Sequence, residues 1–178
     1  MEVSKRLDKI LKYTFVIVLM IFLFKIFLID ITIVRGSSMF PTIAKNEMCF
    51  YKKIELDKAT HDDIAIIKDN YTNQGYGYLI KRIIACPGDN LLIEDGKVKV
   101  NGVEKNEFGE TLIENDIKNK LNLKINENEY FVMGDNRRNS MDSRYFGCVK
   151  KEDIKGLLIN NFFRKIKIGG KSIEKKEY

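Results

Sequence analysis

The chain has 178 residues, enough for one modest domain and an additional segment, and its 44% hydrophobic and 31% charged residues are an ordinary balance for a folded protein. The net charge of +6 is diffuse, with many lysines near the two ends and no basic stripe interleaved with aromatics. That excludes nucleic acid as the expected partner and suits an anionic membrane surface better.

The first element is apolar. Residues 13 to 24 read YTFVIVLMIFLF, Lys25 interrupts, and IFLI follows before Asp30. Counted from Tyr13 through Ile29, the run is about 17 residues, near the lower limit for crossing the hydrocarbon core. Lys25 lies near one end, where its stem can snorkel to the headgroups. Lys5, Arg6, Lys9 and Lys12 precede the run, and such a basic flank stays cytoplasmic. A cleaved signal peptide would need small residues of the A-x-A type after the run, but the first alanine is Ala44. A buried core helix is disfavoured because the run is apolar on every face. The expected division is a basic cytoplasmic N-terminus over 1–12, a membrane anchor over 13–30, and an extracytoplasmic domain over 31–178.

Beyond residue 30 the sequence reads as mainly β, with short strand-like runs between turn signals. Candidate strands are Met48 to Ile54, Asp63 to Lys68, Tyr78 to Ala85, Leu91 to Ile93, Lys97 to Val100, Glu129 to Met133 and Gly156 to Phe163. Asp95-Gly96 predicts a tight hairpin between two of them, and Asn101-Gly102 a second tight turn. Residues 104–128, rich in Asn, Glu and Lys, read as a small, loosely built excursion from the sheet, and GGKSIEKKEY as a solvated tail.

Three segments carry chemistry: GSSMFPT from Gly36, KRIIACPGD from Lys81, and GDNRRNSMDSRYFG from Gly134. A serine hydroxyl is a weak nucleophile and needs a base. The single histidine, His61, sits in a Thr-His-Asp-Asp turn and reads as an exposed turn residue, so a histidine triad is not expected. The three cysteines are an odd number without a CxxC pair; they predict small buried apolar residues and no disulfide framework. With one histidine and scattered cysteines, no metal site and no cofactor are expected. A lysine becomes a base when burial disfavours its charged form. Strand alternation puts Leu79 and Ile83 on the face of Lys81, an apolar setting of that kind.

These three segments resemble the type I signal peptidases, and together with the N-terminal run they cover most of the chain in that family's order. The resemblance implies a membrane-anchored β catalytic core with a small cap, formed here by about 104–128. It implies a Ser/Lys-dyad endopeptidase that removes signal peptides from preproteins after small, alanine-like residues. By motif position Ser38 is the nucleophile and Lys81 the general base. Ser140 orients the lysine amine, Asp142 and Arg144 brace the site, and Arg82 and Asp135 hold further structural positions. Val34, Met39, Ile43 and Ile80 match pocket positions, with plain core packing as their alternative. Gly36 occupies the place where one branch of the family has an oxyanion-hole serine; glycine there matches the Gram-positive branch and leaves the second donor open. The implied partners are signal peptides and membrane lipid, acting on a monomer. A self-cleaving repressor with a similar Ser–Lys pair is cytosolic and carries a DNA-binding segment. A partner-binding β domain with a dead site is the non-enzyme alternative.

Overall fold

A computed structural model describes residues 2–53, 59–72, 77–105 and 120–159, without the side chains of residues 2–5 and 24–27. The apolar N-terminal run is helical, but the helix α1 (Glu2–Leu28) begins far earlier and stops short of the expected end. Ile29 and Asp30, counted with the anchor above, open strand β1 (Ile29–Ile33) instead. The reason is local: IDITI alternates β-branched isoleucines with polar residues, a period of two that suits a strand edge. The side chains of α1 from Arg6 to Leu23 are all exposed, and Leu28 at its end is half-buried. Among the described residues no helix is long and apolar enough to cross a membrane.

Ten strands follow: β2 (Met48–Lys52), β3 (Ile64–Lys68), β4 (Tyr78–Ala85), β5 (Asn90–Glu94), β6 (Lys97–Val100), β7 (Val103–Glu104), β8 (Leu121–Lys124), β9 (Glu129–Met133), β10 (Val149–Lys150) and β11 (Ile154–Leu158). A short helix α2 (Ser143–Phe146) precedes β10. Seven strands form one antiparallel sheet in the order β1-β2-β11-β3-β4-β9-β10, and four form a second in the order β7-β6-β5-β8. The mainly β expectation therefore holds. The Asp95-Gly96 turn joins β5 to β6 with both residues at positive φ, 51° and 71°, and Asn101-Gly102 repeats the device between β6 and β7.

The excursion over 104–128 is partly regular. Its end, β8, pairs with β5 through Leu91↔Leu123 and extends the second sheet, while residues 106–119 lie outside the described residues. The tail from residue 160 lies outside them too. Strand β4 joins the two sheets. Its Ile84 and Ala85 pack with Leu91, Ile93, Val98 and Phe131 in the core beneath the second sheet. Leu79 and Ile83 enter the core of the first sheet with Ala65, Ile67 and Val132.

Candidate active site

Ser38 lies in the loop from β1 to β2, and Lys81 lies in the middle of β4. The sheet brings both to the lining of one cavity of about 560 Å³, shared with Val34, Met39 and Ile80. Lys81 sits opposite Ala65 of β3, and its side chain is 3% exposed. Burial depresses its amine to about 8, and nearby Arg144 lowers it further, while Asp142 and Asp69 oppose the shift. The amine donates to Ser140 Oγ at 3.0 Å.

The segment from Gly134 to Gly147 wraps this pair. Asn136 N–H donates to the Ser38 carbonyl (2.9 Å), its side-chain amide to the Ser37 carbonyl (3.3 Å), and Asn139 Nδ2 to Ser37 Oγ (3.1 Å). Gly134 is the closest approach. A methyl group there would fall within 2.7 Å of Ser140 Cβ and still nearer Ser140 Oγ and the Ser38 carbonyl oxygen. Only glycine lets this backbone pass between the two serines.

Beneath them lie two charge pairs, Asp142–Arg144 and Arg82–Asp135. Asp142 is fully buried and takes a bidentate fork from Arg144, Nε to Oδ1 at 2.8 Å and one terminal nitrogen to Oδ2 at 2.9 Å. Asp142 Oδ2 also accepts from Gly134 N–H at 3.0 Å, and Arg144 reaches the Arg137 carbonyl at 2.8 Å. The second fork joins Arg82 to Asp135 at 2.8 and 2.6 Å, and Arg82 donates a further bond to the Asp62 carbonyl at 2.6 Å. Bidentate pairs of this kind fix orientation as well as charge. Ser140, Asp142 and Arg144 are thus gathered against Lys81, whereas Arg82 and Asp135 hold the strand behind it.

Of the four expected pocket residues, Val34, Met39 and Ile80 line the cavity. Ile43 is instead buried in the core with Val34, Met39, Cys49 and Ile64, one layer below the lining, because its loop turns inward after Pro41. Asn136, Asn139 and Gly134 escaped the sequence reading as site residues; the density of Gly and Asn between Gly134 and Asn139 was the available signal.

His61 stands in a turn with its side chain 37% exposed, and its Nε2 lies 2.7 Å from Asp89 Oδ2. The scattered ligand types of the sequence are brought together here: His61, Cys86 and Asp89 place their ligand atoms within 4.8 Å of one another. The antiparallel pairing of β3 and β4, continued by Asp62 N–H to the Ile83 carbonyl, brings together two turns that are distant in sequence.

Comparison with known proteins identifies relatives of this arrangement. Residues 7–163 match the family described as signal peptidase, peptidase S26. Signal peptidase I P of Bacillus subtilis subsp. natto is 36% identical over 162 residues, covering 83% of this chain and 84% of that protein. Signal peptidase I of Bacillus licheniformis is 34% identical over 156 residues, 82% of each. The crystal structure of a signal peptidase I from Enterococcus faecalis, 29% identical, overlays on 57% of this chain and 97% of that one with a TM-score of 0.46.

Proposed function

The chain belongs to the signal peptidase family, peptidase S26, and from that premise we propose that it removes signal peptides from exported preproteins with Ser38 as nucleophile and Lys81 as general base. It is a hydrolase of the endopeptidase class. The observation that carries the catalytic assignment is the Lys81 amine: buried, held near 8, bonded to Ser140, and lining the same cavity as Ser38.

In this mechanism Ser38 Oγ attacks the scissile carbonyl as neutral Lys81 takes its proton. The tetrahedral intermediate collapses, Lys81 returns the proton to the leaving amine, and an acyl-enzyme remains. Lys81 then deprotonates water, which attacks the ester and frees Ser38. Ser140 keeps the amine directed, and the Asp142–Arg144 fork keeps the segment bearing Ser140 in place. The Ser38 N–H is one donor to the developing oxyanion.

The substrate binds extended. β1 is an edge strand, and the pairing of β4 with β9 begins only at Arg82, so Tyr78 to Lys81 present backbone toward the cavity side. A peptide laid between these two edges adds main-chain bonds to each, and its alternate side chains enter the lining of Val34, Met39 and Ile80. Ala-X-Ala-like residues before the cut fit that small apolar lining.

The 13–30 run is the proposed anchor, with 1–12 cytoplasmic and 31–178 on the extracytoplasmic side, acting as a monomer. What supports it is an apolar helix whose side chains from Arg6 to Leu23 are exposed, followed at once by the strand that leads to Ser38. Exposed Ile31, Ile33, Phe40, Tyr78 and Met141 lie at or near the cavity and suit a face that dips into lipid.

The test is cleavage of a preprotein by the purified full chain in lipid. Ser38→Ala and Lys81→Ala each lower the rate on the order of 10⁴-fold. Near-normal cleavage by either variant overturns the dyad, and equal rates for alanine and bulky residues at the substrate positions overturn the pocket.

A further inference from the structure

At the end of β4 remote from Lys81, the turn Cys86-Pro87-Gly88-Asp89 meets the turn before β3 that carries His61. We propose that His61, Cys86 and Asp89 form a binding site for a divalent transition metal of the zinc class. An imidazole, a thiol and a carboxylate together suit this class, and the imidazole and thiol set it apart from hard cations such as magnesium, which take oxygen ligands.

The geometry needs little change to close on an ion. The three ligand atoms lie within 4.8 Å of one another. A tetrahedral ion with bonds of about 2.0–2.3 Å sets its ligands roughly 3.3–3.8 Å apart. His61 Nε2 and Asp89 Oδ2, now 2.7 Å apart, need open by roughly 0.6–1.1 Å to share such an ion. The His61 side chain is 37% exposed and stands in a turn, so it is the member free to move and the side from which an ion enters.

The supporting bonds are already in place. Asp89 Oδ1 accepts from Asn101 Nδ2 at 2.7 Å, and Oδ2 accepts from Cys86 N–H at 2.7 Å. These fix the carboxylate, as outer partners do around metal ligands, and leave Oδ2 a lone pair for the ion. The Cys86 thiol donates to the Ala59 carbonyl at 3.9 Å and packs at the margin of the first sheet's core.

The charge around the cluster is negative. Asp62 and Asp63 directly follow His61 in sequence, and Lys105, 3.6 Å from Asp62, opposes them. Burial first, and then Asp89, Asp63 and Asp62, push the Cys86 thiol up to about 11. A divalent ion reverses the sign of that field, and the thiol releases its proton to solvent as the metal–sulfur bond forms.

Cobalt(II) is the probe, because a cobalt–thiolate bond gives an intense near-ultraviolet charge-transfer band. The full chain in detergent, reduced and freed of metal, is titrated with cobalt and then with zinc. The expected result is one cobalt per chain with a thiolate band that zinc bleaches. Cys86→Ser removes the band, and the Cys49→Ala/Cys148→Ala double variant keeps it. His61→Ala weakens cobalt binding by more than the roughly 10- to 100-fold loss of an outer-shell partner. Peptide cleavage stays unchanged in His61→Ala, since five residues of strand put Cys86 about 17 Å from Lys81. Circular dichroism confirms that each variant is folded. Absence of the thiolate band in the folded wild type, or its persistence in Cys86→Ser, overturns the site and leaves His61–Asp89 as a hydrogen bond between turns.

Discussion

Lys81 concentrates the chemistry of this molecule in one nitrogen, and its environment makes two measurable demands. Its amine titrates near 8 in the folded chain against 10.5 in an exposed lysine. In the proposed dyad only the neutral amine accepts the Ser38 proton, so kcat/KM should climb with pH, reach half its plateau near 8, and stay flat above it. A profile flat from pH 6 to 9 rules out this base. The same shift governs stability. Below 8 the lysine is charged in both the folded and unfolded chain, and folding must desolvate that charge. Between 8 and 10.5 the unfolded chain binds more protons, so stability rises with pH and the penalty fades. Lys81→Met removes the penalty altogether. It should abolish cleavage and yet raise unfolding free energy by about 1–3 kcal/mol at pH 6, a gain that vanishes by about pH 10.5 in urea titrations. The residue types and the apolar strand around Lys81 were legible in the sequence. The bonding of its amine to Ser140 was not, because no local pattern sets a contact between residues 59 positions apart.

At the level of elements, β4 and the segment from Gly134 to Gly147 divide the work. The strand supplies a rigid, buried support for Lys81, and the segment supplies Ser140 and the bonds that grip the Ser38 loop. Their meeting point is Gly134, whose N–H is held by the buried Asp142 carboxylate. Gly134→Ala places a methyl against both Ser140 and the Ser38 carbonyl, so the backbone or both serines must shift. A displacement on the order of 1 Å costs about 100-fold in rate. The expected outcome is a fall in kcat of that size while the far-ultraviolet spectrum is retained; wild-type kcat would show that the close approach is not required. Most strands stood out in the sequence because β-branched runs ended at Gly and Asn turns. β1 did not, because its isoleucines ran on from the apolar helix and period two was masked by continuous hydrophobicity. β8 was hidden differently, since LNLK is a short, weakly apolar strand whose identity comes from pairing with β5. Ile43 shows the same limit: an apolar residue beside a catalytic loop can face the cavity or the core, and only the fold decides.

For the whole molecule, the decisive contrast is between the two sheets, which bury their own cores, and α1, whose side chains from Arg6 to Leu23 are all exposed. Phe15, Val18, Met20 and Phe22 are each about 60–70% exposed, and an uncovered apolar face of this length needs a partner. The proposed anchor takes that partner to be a bilayer, since the exposure runs around every face and Lys5, Arg6, Lys9 and Lys12 flank the run on one side. Under that proposal the charge asymmetry predicts a direction: the N-terminus inside, and β1 outside with Ser38 a few residues further on. Protease added to intact cells should therefore digest the β domain and leave an N-terminal epitope tag protected until the membrane is permeabilised. Digestion of the tag in intact cells would reverse the orientation, and recovery of the untreated chain in the soluble fraction would remove the anchor. The orientation also limits the substrate. In the proposed orientation, a cavity held against the outer surface would reach peptide bonds just past a membrane-spanning segment, where a signal peptide joins the exported chain. Preproteins presented in vesicles should thus be cut faster than the same sequence as a free peptide, and the advantage should disappear when detergent disperses both.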